Sequence, residues 1–392
     1  MNLAVLNTRV QDFINTHLDE DPTKIALNPP EIPGVEGREI AEQLASKQKC
    51  RHKLPRWYHT EGIYYPKKIN IEQTSSEQTA AYKASIVKAG KVLDMTGGFG
   101  VDSFYLARDA DKLDYCERNL ELCSIATHNF KQLEARNITT HCKDGLGYLK
   151  ENREHYDLIY IDPSRRSEVK GKVFLLTDCE PNVPKNLQTI LERTATLLVK
   201  TSPLLDIKTG MDELDAVASI HIVALDNEVK ELLWEIRPGY QGTTGIHCIN
   251  LKGDTIEEWK FRLGKEAEAS PDYGQPRKYL YEPNAAIMKS GAFKLVATDF
   301  KLLKLHEHSH LYTSDELILF PGRRFLVNSV IPYSRKNLKA TGITKANITT
   351  RNFPESVQQI RKKTKIKDGG DCYLFFTKDP DNKLLVVNCS KI

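Results

Sequence analysis

Apolar residues recur at helical spacing near the start of the chain. Leu6, Val10, Phe13, Ile14 and Leu18 share one helical face, and Ile40, Ala41, Leu44 and Ala45 share another, on either side of the proline-rich NPPEIPGVEG at 28–37. Residues 1–70 therefore read as a helical segment, whose second helix runs into the basic stretch 47–53 and stops at Pro55. The polar run EQTSSEQTAA, 72–81, opens a further helix, with a capping box available as Ser75 with Gln78 or Thr74 with Glu77. Beyond it, short apolar runs alternate with amphipathic ones. Strands are predicted at 91–94, 112–116, 138–142, 156–162 and 195–200, with helices at 119–133 and 186–194 between them. This alternation predicts an α/β fold of Rossmann-like type, with a parallel sheet and crossover helices. A helix within 204–218 and strands at 219–225 and 245–251 complete the sheet, and the charged stretch 255–269 predicts one more helix. The turn-rich SPDYGQP marks a boundary near 275.

The first strand, KVLD, runs into MTGGFG. Gly97, Gly98 and Gly100 let the backbone turn sharply and approach a ligand, and Val101, Phe104, Tyr105 and Ala107 follow at helical spacing. The second strand, KLDYC, ends at Glu117, where a carboxylate meets a ribose in nucleotide-binding folds. The fourth, YDLIYID, runs into Pro163, Ser164, Arg165 and Arg166. Together Asp94-Met-Thr-Gly-Gly-Phe-Gly100, Glu117 and Asp162-Pro-Ser164 resemble the motifs of class I S-adenosylmethionine-dependent methyltransferases. A nicotinamide enzyme fits less well, because GxGxxG would need glycine where Ser103 stands.

The resemblance implies S-adenosyl-L-methionine as cofactor. Asp94, Thr96, Gly97, Gly98 and Gly100 would cradle its methionine part, Glu117 its ribose and Asp144 its adenine. Gln73, Thr74 and Ser75 would close over the methionine, although helix capping alone would account for them. Asp144-Gly145 is equally a turn-forming pair. Amino-methylating members carry (Asp/Asn)-Pro-Pro-aromatic where this chain has Asp162-Pro163-Ser164-Arg165. Asp162 and Pro163 would hold the nucleophile, and Ser164, Arg165 and Arg166 would meet the substrate. The aromatic that stacks on the base is missing, while Arg165 could stack by its guanidinium plane or pair with a phosphate. The bland reading of Arg165 and Arg166 is an exposed loop pair. No Ser/His/Asp or Cys/His constellation stands out, and methyl transfer from a sulfonium needs none, since alignment does most of the work.

Past residue 275 the resemblance becomes closer. YLYEPNAAIMKSG and then RFLVNSV and GGDCYLFF look like a bacterial methyltransferase group with a ferredoxin-like module and a THUMP-like C-terminal domain. The implied organisation is a helical segment at 1–70, a methyltransferase domain at 71–254, a ferredoxin-like module at 275–320 and a THUMP-like domain at 321–392.

Charge sharpens the choice of partner. Residues 321–392 hold 15 Lys and Arg against 5 Asp and Glu, while the rest of the chain holds 41 against 47. A basic end on an acidic body suggests a polyanionic partner or simply a solvated surface, and the THUMP-like resemblance implies RNA as the expected substrate. Trp57, Tyr58, Tyr64 and Tyr65 lie among bases and would either stack on nucleotides or cover a flank. No run of 18 apolar residues occurs, so no membrane partner is expected. The eight cysteines form no CxxC pair, which argues against a zinc ribbon or disulfide framework and for a cytoplasmic protein, with Cys116 and Cys142 packed as small hydrophobes. His306, His308 and His310 would share one face of a strand, but no cysteine joins them and no metal is expected. The sequence thus points to an RNA-directed methyltransferase. The alternatives are an inactive RNA-binding scaffold on the same fold and a methyltransferase of proteins or small molecules.

Overall fold

The computed structural model describes residues 1–165 and 175–392. Their contacts divide the chain into two compact units, Met1–Ile220 with Glu231–Gly242, and His221–Lys230 with Thr243–Ile392.

The sheet of the first unit is built from β1 (Lys91–Asp94), β2 (Lys112–Cys116), β3 (Ile138–His141), β4 (Tyr156–Ile161) and β5 (Thr194–Thr201). β1 pairs in parallel with both β2 and β4, β2 with β3, and β4 with β5. The order β3-β2-β1-β4-β5 reverses between β1 and β4, and such a switch point leaves a crevice beyond the carboxyl ends of the strands. Near-continuous burial of Val92–Asp94 and Leu158–Ile161 reflects helices on both faces. β6 (Val217–Leu225) and β7 (Glu228–Ile236) follow, joined through Asp226 and Asn227, which both take positive φ. The Leu232–Ile236 part of β7 pairs antiparallel with β5.

The amino-terminal helices belong to this unit. Val10, Ile14, Ile40 and Leu44 are buried, as their periodicity predicts. Trp57, Tyr64 and Tyr65 are buried as well, so these aromatics cover the flank and are not a surface for stacking nucleotides. Gln43 brackets the Tyr65 backbone at 2.5 and 2.9 Å, and Asn129 brackets that of Tyr64 at 2.9 Å twice.

Several expectations are corrected. The helix before β1 is Glu77–Ile86, and its cap is Ser76, whose hydroxyl accepts from the Thr79 N–H at 3.2 Å. Thr74 instead ends the short helix Lys68–Gln73, and the Ser75 hydroxyl is drawn to a buried carboxylate. The stretch at 228–236 is a full strand. The charged stretch at 255–269 is mostly strand too: β9 (Thr255–Arg262) pairs antiparallel with β8 (Gly245–Lys252) through all eight positions, and only Lys265–Glu268 is helical. Cross-strand pairing of a charged face has overridden local helix propensity. Cys142 is not a packed hydrophobe. It is exposed and joined to Cys123, 19 residues earlier, by a disulfide, because the helix Leu120–Gln132 returns alongside β3 and brings the Cα atoms to 5.5 Å. Cys116 is buried, and that burial pushes its thiol pKa up.

In the second unit, β10 (Tyr279–Pro283), β11 (Leu303–Lys304), β12 (Tyr312–Ser314), β13 (Gly322–Pro332), β14 (Asn347–Thr350), β15 (Cys372–Lys378) and β16 (Leu384–Lys391) form one sheet ordered β11-β12-β10-β13-β16-β15-β14. Residues 275–320 and 321–392 therefore share a sheet. Buried Glu282 on β10 reinforces the join by binding Arg323 and, at 2.8 Å, Arg351. The helices Arg335–Ala340 and Val357–Thr364 cover one face, with Leu338, Ile360 and Ile366 packed on Leu374, Phe376 and Val386. The three histidines do not share a strand face. β11 ends at Lys304, His306 bonds Asn382 at 3.0 Å, His308 is exposed, and His310, at positive φ, stacks on Phe293 at 3.6 Å.

Candidate active site

The carboxyl ends of β1, β2, β4 and β5 bring four predicted or newly seen chemical groups to one edge. Asp94 ends β1 and is fully buried. One of its oxygens accepts from the Thr96 N–H at 2.9 Å and the other from the Ser103 hydroxyl at 2.5 Å. Burial raises its pKa to about 7, the two hydrogen bonds opposing the rise. Asp94 thus shapes the glycine loop from beneath rather than facing the crevice.

The loop is braced on every side. The Gly97 N–H donates to the Cys116 carbonyl at 2.8 Å, and the Tyr115 hydroxyl to the Gly98 carbonyl at 2.6 Å. A Cβ on Gly97 would come within 2.0 Å of the Tyr115 ring, and one on Gly100, at φ +86°, within 2.5 Å of Phe130. Gly98 differs: at φ +56° it has only the Thr96 carbonyl, at 3.9 Å, near where a Cβ would stand. Its open side is a cradle that any side chain would fill, which fits close approach of a cofactor.

Glu117 follows β2. Its carboxylate accepts from the Gly98 N–H at 3.0 Å and the Asn119 N–H at 2.7 Å, so it is fixed against the glycine loop. Asp144 caps the helix Gly145–Glu151 by accepting from the Gly147 N–H at 2.7 Å, and it is exposed. A Cβ on Gly145 would lie 2.3 Å from the Met95 carbonyl, so this close approach holds Asp144 near the loop. Asp144 therefore turns the chain into a helix as its N-cap.

Asp162 follows β4. Its N–H donates to the Thr96 hydroxyl at 2.7 Å, which ties the loops after β1 and β4 together. Lys200 at the end of β5 donates to the Asp162 carboxylate at 2.5 Å. Asp162 is about a third exposed, at 35%, and Lys200 is 13% exposed, so the pair opens to the crevice side. Pro163 is buried, and Ser164–Arg165 forms a two-residue strand against Cys179–Glu180. Gln73 is exposed and Thr74 partly so. Arg166 lies outside the described residues.

Behind Asp162 is a charge network that sequence reasoning missed. Lys83, fully buried, donates to both oxygens of Glu231 at 2.6 and 2.8 Å and to the Ser75 hydroxyl at 3.1 Å, and lies 3.3 Å from Asp102. Asp102 also accepts from Ser75 at 2.8 Å and from the Tyr160 hydroxyl at 2.9 Å. Burial would raise the pKa of Asp102, but Lys83 and Lys200 outweigh it and hold the group below the usual range. Burial would likewise lower that of Lys200, yet Asp162, Asp102 and Glu231 raise it well above normal. Lys83 and Lys200 thus lie among three carboxylates, Asp102, Asp162 and Glu231. A lysine inside the apolar run ATLLVKT was the available signal for Lys200. Nothing local marked Lys83.

A doubly wound sheet, a braced glycine loop after β1, an acid after β2 and an Asp-Pro after β4 define a class I S-adenosylmethionine-dependent methyltransferase. The cofactor of that class supplies the sulfonium methyl group. Over residues 57–199 the chain matches the family model of the tellurite resistance protein TehB, over 279–321 that of a ferredoxin-like domain, and over 322–391 that of a THUMP domain-like family. A solved structure of a candidate methyltransferase from Porphyromonas gingivalis W83 is 34% identical, with a TM-score of 0.89 over 98% of this chain and 97% of that one. The chain belongs to the family of that protein. A 90-residue stretch, 23% of this chain, is 30% identical to an uncharacterized RNA methyltransferase of Mycoplasma mobile. The match spans only 25% of that curated relative's length.

Glu117→Ala is expected to weaken S-adenosylmethionine binding by ~1–3 kcal/mol, the range for a hydrogen bond to a charged group. Calorimetric titration measures it, and unchanged affinity would remove the ribose assignment.

Proposed function

We propose that this protein methylates a base nitrogen in tRNA or rRNA, in the cytoplasm. The observation that carries the reading is the bond from the Asp162 N–H to the Thr96 hydroxyl, which locks the group that would hold the nucleophile to the loop that would cradle the methyl donor. Asp94, Thr96, Gly97, Gly98 and Gly100 would form or support the methionine cradle, closed by Gln73 and Thr74. Glu117 would bind the ribose and Asp144 the adenine. Asp162 with the Pro163 carbonyl would receive the target base, and Ser164, Arg165 and Arg166 its flanking phosphates. With the donor already activated, holding nucleophile, methyl and sulfur in line supplies most of the acceleration.

The second unit supports RNA as partner. Arg335, Lys336, Lys339, Lys345, Lys362 and Lys365 are exposed on or beside the helices that cover one face of its sheet. Among the described residues none of the six has a carboxylate within ion-pair distance, so this face is available to phosphates. The relative from Mycoplasma mobile, described as an RNA methyltransferase, points the same way over the stretch it shares. Replacement of the aromatic by Arg165 keeps a second reading in play, an RNA-binding scaffold that has lost transfer.

Transfer of tritium from labelled S-adenosylmethionine into total RNA tests the proposal. Label in RNA is expected, and RNA binding without label would favour the scaffold. Lys336→Glu/Lys339→Glu/Lys365→Glu is expected to weaken RNA binding at low salt and to flatten its salt dependence by ~0.7–0.9 in log–log slope for each phosphate no longer neutralised. An unchanged slope would place the RNA elsewhere.

A further inference from the structure

The pairing of Asp162 with Lys200 bears on which kind of nitrogen accepts the methyl group. An exocyclic amine on adenine, cytosine or guanine offers two N–H donors, and a site for it needs two acceptors. An ammonium bound to the one carboxylate weakens that acceptor and adds a donor where the substrate already brings donors. A lactam nitrogen is different. Its lone pair is delocalised into the neighbouring carbonyl, so it becomes a nucleophile only as its proton leaves, and the charge then gathers on the carbonyl oxygen. Such a group needs a base for its N–H and, directly beside it, a cation for its oxygen.

Asp162 and Lys200 supply that pair, 2.5 Å apart. Both are placed rigidly. The Asp162 backbone is pinned to Thr96, and Lys200 lies next to the last residue of a strand that has a neighbour on each side. Arg165 stands where the amino-methylating members carry an aromatic. We propose that the methyl acceptor is a lactam nitrogen of an RNA base, N1 of guanine or N3 of uracil, with Asp162 taking its proton and Lys200 holding the adjacent carbonyl oxygen.

The step balances with a sulfonium methyl donor as the only co-reactant. The N–H proton moves to the Asp162 carboxylate, and the freed pair forms the N–CH3 bond. The S–CH3 bond breaks with its electrons kept by sulfur, which leaves as a neutral thioether. Lys200 loses no proton, and the carbonyl is restored. Asp102 and Glu231 interact with Lys200 from behind and favour its charged form.

The inference rests on the RNA methyltransferase reading, and one experiment separates the two. The full-length protein is incubated with labelled S-adenosylmethionine and RNA lacking native methylation, and the RNA is digested to nucleosides for mass spectrometry. 1-Methylguanosine or 3-methyluridine is expected. N6-methyladenosine, N4-methylcytidine, N2-methylguanosine or a carbon-methylated base would overturn the lactam assignment and leave RNA methylation standing. No label, from protein that still binds S-adenosylhomocysteine, would overturn both. Lys200→Met is expected to cost on the order of 10²-fold in kcat, as loss of one oxyanion donor does. Its rate should climb to higher pH than wild type, because the nitrogen's proton leaves less readily without the cation. Calorimetric affinity for S-adenosylhomocysteine should stay within about twofold, and Lys200→Arg should recover part of the rate. Weakened cofactor binding with an unshifted pH profile would instead assign Lys200 to the cofactor and overturn its role on the carbonyl. If Lys200→Met does not fold, the pH profile of Lys200→Arg and the identity of the product carry the test.

Discussion

Lys83→Met is expected to destabilise the protein by ~3–5 kcal/mol, the cost of leaving a buried charge without its partner. Lys83 is wholly inside and holds Glu231 with two bonds while facing Asp102. The methionine fills most of the volume but leaves Glu231 without its partner and Asp102 with only Ser75, Tyr160 and the more distant charge of Lys200. Part of the penalty would be met by proton uptake, so the loss should be larger at pH 8 than at pH 5. Pairing the change with Glu231→Met removes one orphan and should recover part of the stability, so the double variant should be less damaged than the sum of the singles. Urea denaturation measures all three. A single-variant loss below about 1 kcal/mol would mean that water reaches the network, and its role as a buried brace would fall.

Asp162→Asn should lower methyl transfer by ~10²–10⁴-fold, the range for removing a general base. The substitution keeps size and still lets an oxygen accept from Lys200, so folding and cofactor binding should survive. What is lost is the ability to take a proton. An enzyme acting on an exocyclic amine would tolerate this change far better, because there the side chain only accepts a hydrogen bond. Single-turnover rates with saturating cofactor isolate the chemical step, and a variant within about fivefold of wild type would remove Asp162 as base.

How far the sequence led depends on the range of each interaction. The strand, glycine turn and helix from Lys91 to Ala107 were legible because each signal is local, and so were the strands that Glu117, Asp144 and Asp162 follow. The runs RFLVNSV and CYLFF past residue 321 were also legible, and they lie within the strands Gly322–Pro332 and Cys372–Lys378. The strands at 228–236 and 255–262 were not. Their charged, Trp-containing sequences suit either state, and pairing with a neighbour decided between them. The cap at Ser76 was missed by one or two residues because Ser75 was already engaged by Asp102. The pairing of Lys83 with Glu231 spans 148 positions and leaves no local trace. The bond between Cys123 and Cys142 joins positions that no short cysteine motif connects.

The bracing of the glycine loop also decides which cofactors are refused. Loops that seize a phosphate do so with backbone N–H groups left pointing outward. Here the N–H groups of Thr96, Gly97, Gly98 and Gly100 are already spent on Asp94, the Cys116 carbonyl, Glu117 and the Gly97 carbonyl. A pyrophosphate reaching this turn would find few free donors and a carboxylate at 117 in its path. The same backbone that draws close to a sulfonium cofactor is therefore a filter against the dinucleotides and nucleoside triphosphates that crowd a cell.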